Sequence, residues 1–597
     1  MRRRLWLFTI TVFTSFNSFA QISLSEAVKR ITGAESLETV DPYEMERLEE
    51  LAENPLRINF VTLAKMEEAG LMTHYQAVSL IDYRSRHGDI LSLSELAAVD
   101  GFGSDAATRL APFISLECHA SPFERRDDSL RFRHDLTVRT GLKKGMTMSY
   151  GMKYRLQAAD RVSGAFAFSH GYASPSMKPE SYSGNIMLYS GNGKGALVIG
   201  DYNARFGQGL ALWNGMSMSG IANPSSLMKR PAGISASSSY TGNYSFKGAA
   251  GYLAFRKFRL SALTAFDSSD NGVGLLTGAN AAFIFRKGQA SVTHYADMKF
   301  GNDESTLSDM KTAADFSCCL DGKDMFSELS YDWLSGTAAF LGGTVFPIGD
   351  DFKAGAVVRL YPPSYSSSRS ASIRSLTKAS DEYAIGVGTE WAAGRWVTLR
   401  GHSGFGSSVR RHISSTVLDF SRHTVSKGEE ENGSIQIKAR TDWAVMISDA
   451  WKMTLRLTER VRTWGMPFRT EARVDMTFDC GKLAATLRTD LVRCKKTGML
   501  SFLEGAYVEE KSALYLRLGI FCADDWDDRI YAYERDAPGS FNVPAYYGRG
   551  AWTSLMLKWT FSRWGKVYLR TSMLSYALMK EKKPGKAELK LQMEFNL

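Results

Sequence analysis

From Phe132 onward, apolar and polar side chains alternate position by position in segment after segment. In Glu471–Asp479 the residues Ala472, Val474, Met476 and Phe478 take one side, and Arg473, Asp475, Thr477 and Asp479 the other. Leu483, Ala485, Leu487 and Leu491 repeat this against Thr486, Arg488 and Asp490, and Leu514, Leu516, Leu518 and Ile520 against Tyr515 and Arg517. A period of two is that of a strand with one face in an apolar medium and the other in a polar one. Such segments, each about ten residues long and joined by short Gly, Asn, Asp or Lys turns, predict an all-β transmembrane barrel over residues 131–597. In lipid the sheet must close to leave no unpaired edge. The candidate segments amount to about 20–26 antiparallel strands, with an even number of about 24 favoured. Trp451, Trp559 and Trp564 fall near strand ends, where interfacial aromatics belong.

Ahead of the barrel the period changes to that of helices. Tyr43–Glu53 carries Met45, Leu48 and Leu51 at three-residue spacing among glutamates, and stops before Asn54-Pro55. Thr62–Ala69 leads into a turn at Gly70, Leu71 and Met72; Thr73 and Gln76 form a capping box for a helix with Ala77, Leu80, Ile81 and Arg84 on one face. A second pair follows: Ser94–Val99, a turn at Gly101, Phe102 and Gly103, and a helix capped by Ser104 or Asp105 that carries Arg109, Leu110, Phe113 and Ile114. Residues 21–117 therefore form a small all-α domain with an internal repeat over 54–114, and 118–130 a linker. At the start, Arg2, Arg3 and Arg4 precede an apolar run from Leu5 to Phe19, which predicts a secretory signal over 1–20 and a mature chain starting at Gln21.

Charge separates the two units. Residues 21–117 hold 8 Lys/Arg against 17 Asp/Glu, a net of −9, while 118–597 hold 62 against 46, a net of +16. This split predicts two units that meet different surroundings. The 6 cysteines include no C-x-x-C pair and suggest neither a disulfide framework nor a zinc site.

The repeat INFVTLAKMEEAGLMTHYQAVSLIDYRSRHG…LSLSELAAVDGFGSDAATRLAPFI resembles the tandem helix-hairpin-helix module of competence-type periplasmic DNA receptors. The second turn keeps the Gly-hydrophobic-Gly pattern; the first has Met72 in place of the second glycine and is degenerate at Gly70, Leu71 and Met72. The resemblance implies that Gly101, Phe102, Gly103, Ser104 and Arg109 hold the backbone of double-stranded DNA without reading its sequence. Glycines bring the main chain close to a phosphate, and helix-start N–H groups face the anion. The acidic neighbours Asp100 and Asp105 oppose that reading, because backbone affinity comes mainly from Lys and Arg. The alternative is a module that docks a periplasmic protein, closes the pore or packs on its own barrel.

GDYNARFGQGLALWNG, DDRIYAYERDAPGSFNVPAYYGRG and MERLEELAENPL resemble a largely uncharacterised family of outer-membrane barrels with an N-terminal helix-hairpin-helix domain. The ending AELKLQMEFNL resembles the strand by which the barrel assembly machinery recognises such proteins, with Leu597 in the usual aromatic place. These likenesses imply an outer membrane of a Gram-negative cell, contact with its lipid, and a periplasmic N-terminal domain.

Candidate chemistry adds little. Gly200–Gly233 loses alternation after Gly207; Gly207, Gln208, Gly209 and Trp213 mark either an inward constriction or plug, or an ordinary long loop. Ser364–Ser375 is expected to be a mobile surface loop, and Asp524, Asp525, Asp527 and Asp528 a solvated acidic one, lacking calcium-loop spacing. GHSGFG at 401–406 imitates a nucleophile elbow but has Phe405 where the second glycine is needed. Asp475, Asp479 and Asp490 have Arg473 and Arg488 on the same face, which favours compensated lumen charge over a catalytic pair. The expectation is a non-enzymatic conduit without metal or cofactor, serving DNA uptake or, in the alternative, export or envelope assembly.

Overall fold

The computed structural model describes residues 24–118 and 132–597 apart from 35, 159–160, 175, 192–193, 216–219, 241–244, 256, 270–271, 301–304, 321, 350, 398–407, 425–432, 466 and 577–583. The expected signal peptide, the linker beyond Cys118 and the 401–406 stretch lie outside the described residues.

Twenty-four antiparallel strands close a ring that runs from Phe132–Lys143 to Lys586–Asn596, and these two pair with each other to seal it. Successive strands of the ring pair with each other, joined by turns at one end and in part by long connections at the other. One irregularity carries consequences. Strand Gly195–Arg205 pairs with Phe246–Phe255 only as far as Tyr202, and its last four residues pair with a short extra strand, Gly233–Ala236. Gly200, two residues before the change and still opposite Gly248, has φ +107°, and a Cβ there would stand 2.1 Å from the Gly184 carbonyl oxygen. Only glycine fits that bend.

The alternation read from the sequence sets the two faces. Leu253, Leu260, Leu418, Leu457, Leu487, Leu514, Leu518 and Met573 point outward and are exposed, forming the apolar belt that lipid covers. Trp451, Trp559 and Trp564 are exposed near one end and Trp333 near the other, as girdles require. Along the last strand Leu589, Met593 and Leu597 face out, while Glu588, Lys590, Gln592 and Glu594 engage partners inside. Most turns at the end that holds both barrel termini are short, as at Arg286–Lys287, Gly481–Lys482 and Arg563–Trp564; the long connections 206–245, 362–381 and 524–547 lie at the other. Short turns belong to the periplasmic side of such barrels.

The helices are α1 (Leu24–Thr32), α2 (Pro42–Glu53), α3 (Leu63–Glu68), α4 (His74–His87), α5 (Leu93–Ala98) and α6 (Gly103–Leu110). They bury one apolar cluster around Val28, Leu48, Ile58, Met66, Leu80, Leu96 and Phe113. Asn59, fully buried, donates to the carbonyls of Ile90 and Glu117 and accepts from the Ile90 N–H, tying the α3–α4 pair to the α5–α6 pair. The Thr73–Gln76 capping box is present at α4. α6 differs from expectation: it begins at Gly103 with Phe102 at the cap position and no side-chain cap, because Phe102 turns into the core instead.

Candidate functional site

The helical domain sits in the lumen, and its acidic residues place it there. On α2, Glu46, Glu50 and Glu53 are spaced four and three apart and therefore share a face, opposite the buried Met45 and Leu48. Glu44 and Glu46 pair with Arg205 and Lys153, and Glu50 with Arg155. Glu53 holds both Lys558 at 2.5 Å and Lys566 at 2.7 Å. Farther round the ring Glu38 sits between Arg488 at 3.2 Å and Arg473 at 3.6 Å, and Glu67 of α3 faces Arg259 at 3.1 Å. Tyr75 of α4 donates to the carbonyl of Arg286 in a periplasmic turn at 2.7 Å. The opposite net charges of the two halves therefore meet each other, where the sequence reading had them meeting different surroundings. That asymmetry was the available signal for these glutamates, which sequence reasoning did not single out.

Burial alone would raise the carboxyl of Glu38, but Arg473 and Arg488 outweigh it and hold it well below the ordinary range. Glu44, Glu50, Glu53 and Glu67 follow the same pattern with their own cations. Glu49 does not: burial, then its neighbour Glu46, push it up to about 8.

Three outward-side connections fold in above the helices. In the first, Phe206–Leu212 is buried, and the Glu328 carboxylate accepts the N–H groups of Gln208 at 2.6 Å, Leu210 at 3.0 Å and Ala211 at 3.0 Å. Gly207 and Gly209 take φ of +59° and +79°, and a Cβ on Gly207 would stand 2.7 Å from Glu328. Trp213 donates its N–H to the Arg369 carbonyl at 2.8 Å. The second is the Ser364–Ser375 stretch, expected at the surface. Instead Tyr365 and Ser372 are fully buried, and Arg369 pairs with Asp297 at 2.8 Å. Its serines satisfy buried main chain in place of water, Ser367 donating to the Ala211 carbonyl and Ser370 to that of Gly209. The third runs from Asp524 to Tyr547. Asp528 there is buried and accepts from the N–H groups of Cys494 and Lys496, unlike a solvated loop, while Asp524 pairs with Arg549 and Asp527 with Lys495. Tyr533, Phe541 and Val543 of this segment join the apolar cluster of the helices.

The two helix-pair turns have different fates. Leu71 and Met72 are buried in the core, and Gly70 packs on the Arg47 side chain, so the first turn is closed off. In the second, Gly101 at φ +87° lies against Tyr75, and its carbonyl accepts from Gln76, while Gly103 and Ser104 are exposed. Arg109 is half-buried on α6. Asp490 and Asp475 stand directly across from Arg473 and Arg488 and pair with them, the second at 2.5 Å.

No protein-family model and no curated protein matches the chain. Among solved structures, it is similar to the siderophore receptor PirA from Pseudomonas aeruginosa, at 8% identity over 79% of this chain and 80% of that one, with a TM-score of 0.40. It is also similar to the P pilus usher (PapC) translocation pore, at 9% identity over 78% and 99%, TM-score 0.35. A third is the ferripyoverdine receptor of the outer membrane of Pseudomonas aeruginosa, at 10% over 79% and 73%, TM-score 0.33.

Proposed function

We propose that the chain is a gated outer-membrane conduit in which the acidic helical domain is the plug. The observation that supports this is the set of ion pairs joining glutamates on α2, α3 and the Leu37–Thr39 turn to lumen cations on strands spread round the ring. Such pairs hold a removable body in place: each is a discrete contact, and none is covalent. In planar bilayers the full chain is expected to be closed or weakly conducting, and a chain lacking residues 24–117 to conduct strongly. A full chain that conducts as an open pore would sink the reading.

A second reading, DNA backbone contact, is favoured by one feature. The turn that matches the helix-hairpin-helix pattern leaves Gly103 and Ser104 exposed on the periplasmic side. Anisotropy titration of the detergent-solubilised full chain with a labelled duplex at low salt is the measurement; this reading expects binding that weakens steeply as salt rises. No binding, or binding indifferent to salt, removes it.

A further inference from the structure

A cavity of about 440 Å³ lies beside the plug on its outward side, between α2, the first and last strands, the Ser169–Tyr172 bend and the Ala537–Phe541 part of the third inward segment. Small-molecule sites occupy about 300–1,000 Å³. What sets this cavity apart is its polar inventory. His170, Asn203, Tyr240 and Gln592, each at most 3% exposed, all line it. Each buries a polar atom with no hydrogen-bond partner among the described residues: His170 Nε2, Asn203 Nδ2, the Tyr240 hydroxyl and Gln592 Oε1. Unpaired buried polar atoms are scarce in folded proteins, and each needs a reason. Four round one cavity share one.

Their chemistry is mixed. Asn203 Nδ2 donates, Gln592 Oε1 accepts, and the tyrosine hydroxyl does both. His170 gives its Nδ1 to the Lys178 carbonyl at 3.1 Å, so Nε2 remains for another partner. A ligand that answers all four must itself both donate and accept at several points, as vicinal hydroxyls do. The formal charges on the wall balance, Asp41, Glu46 and Asp536 against Arg139, Arg205 and Lys590, with Lys590 facing Asp536 at 2.6 Å and Glu46 paired with Lys153. No net charge is left to select an ion.

We propose that this cavity binds a neutral polyhydroxylated ligand, an oligosaccharide of two or three units. For the ligand's passage the proposal rests on the plugged-conduit reading. Because α2 forms one wall, occupancy and plug position are thermodynamically linked.

The test uses the full chain in detergent, titrated calorimetrically with maltotriose, cellotriose, xylotriose, mannotriose and triacetylchitotriose, and with trigalacturonate and triglucosamine as charged counterparts. At least one neutral trisaccharide is expected to bind saturably. Tyr240→Phe and His170→Phe, checked for folding by thermal melting, are each expected to weaken it by about ten-fold, the loss of one or two hydrogen bonds; Gln592→Leu serves if either fails to fold. The proposal is overturned if no neutral trisaccharide saturates, if the charged ones bind best, or if the folded variants bind as the parent does. Conductance on the same preparation separates the two ideas. A closed chain that binds no sugar overturns the site alone, and an open chain that binds sugar overturns the plug alone.

Discussion

Glu38 is where one side chain carries most of the docking of the helical domain on the far wall. It stands between two arginines and also accepts the Tyr533 N–H at 3.2 Å. Removing one partner from a buried ion pair costs about 3–5 kcal/mol, and since Asp475 and Asp490 still face the arginines, Glu38→Gln should cost about 3 kcal/mol. Hydrogen exchange at the Leu37–Val40 amides should quicken accordingly while strand amides stay protected. Glu49 predicts a pH effect of definite sign. Its carboxyl is raised in the folded chain to about 8 from an ordinary value of 4.5, so its contribution is full below the ordinary value, shrinks as pH rises and is lost above about 8. The plug's melting temperature should therefore fall between about pH 5 and 8, and Glu49→Gln should flatten that slope. Equal slopes in parent and variant would contradict the assignment.

At the scale of elements, α2 and the Phe206–Leu212 turn are held by different forces. The α2 contacts are charge pairs, so swapping them should be reversible: Glu50→Lys loosens the plug, and adding Arg155→Glu restores it, with a coupling energy of about 0.5–3 kcal/mol in a double-mutant cycle. The Phe206–Leu212 turn depends instead on backbone shape. Gly207→Ala places a Cβ in the left-handed region, at about 1–2 kcal/mol, and drives it against Glu328. Limited proteolysis should then cut within 206–213 while the barrel's melting temperature is unchanged. The sequence showed where alternation failed after Gly207, but not where the segment went. Nothing local marks Glu328, over a hundred residues away, as the acceptor for its amides.

For the whole molecule, the barrel and its contents are stabilised by unlike means. A closed sheet of twenty-four strands has no edge from which to fray, whereas the plug is a small helical core moored by ion pairs. Calorimetry should show two transitions, the lower one belonging to the plug, and only that one should move with the Glu38 and Glu50 variants. A single cooperative transition shifted by both would mean that plug and barrel unfold as one unit.

The chain's own pattern determined the barrel. A period of two in segment after segment from Phe132 to Leu597 leaves closure as the sole arrangement that pairs every backbone group in lipid, and the alternation at Leu589–Leu597 already says which side chains face the membrane. It also determined α2 to α5, down to the Thr73–Gln76 cap, because caps and turns depend on neighbours in sequence, but neither α1 nor the start of α6. What fills the lumen was decided only by tertiary structure. Ion pairs such as Glu53 with Lys558 and Lys566 join residues some five hundred positions apart, and composition revealed them as nothing more than opposite net charges. The serines of Ser364–Ser375 look alike whether water or buried main chain satisfies them. The unpaired atoms of His170, Asn203, Tyr240 and Gln592 become a site only once four distant segments surround one cavity, since a hydrogen bond left unmade exists in space and not in sequence.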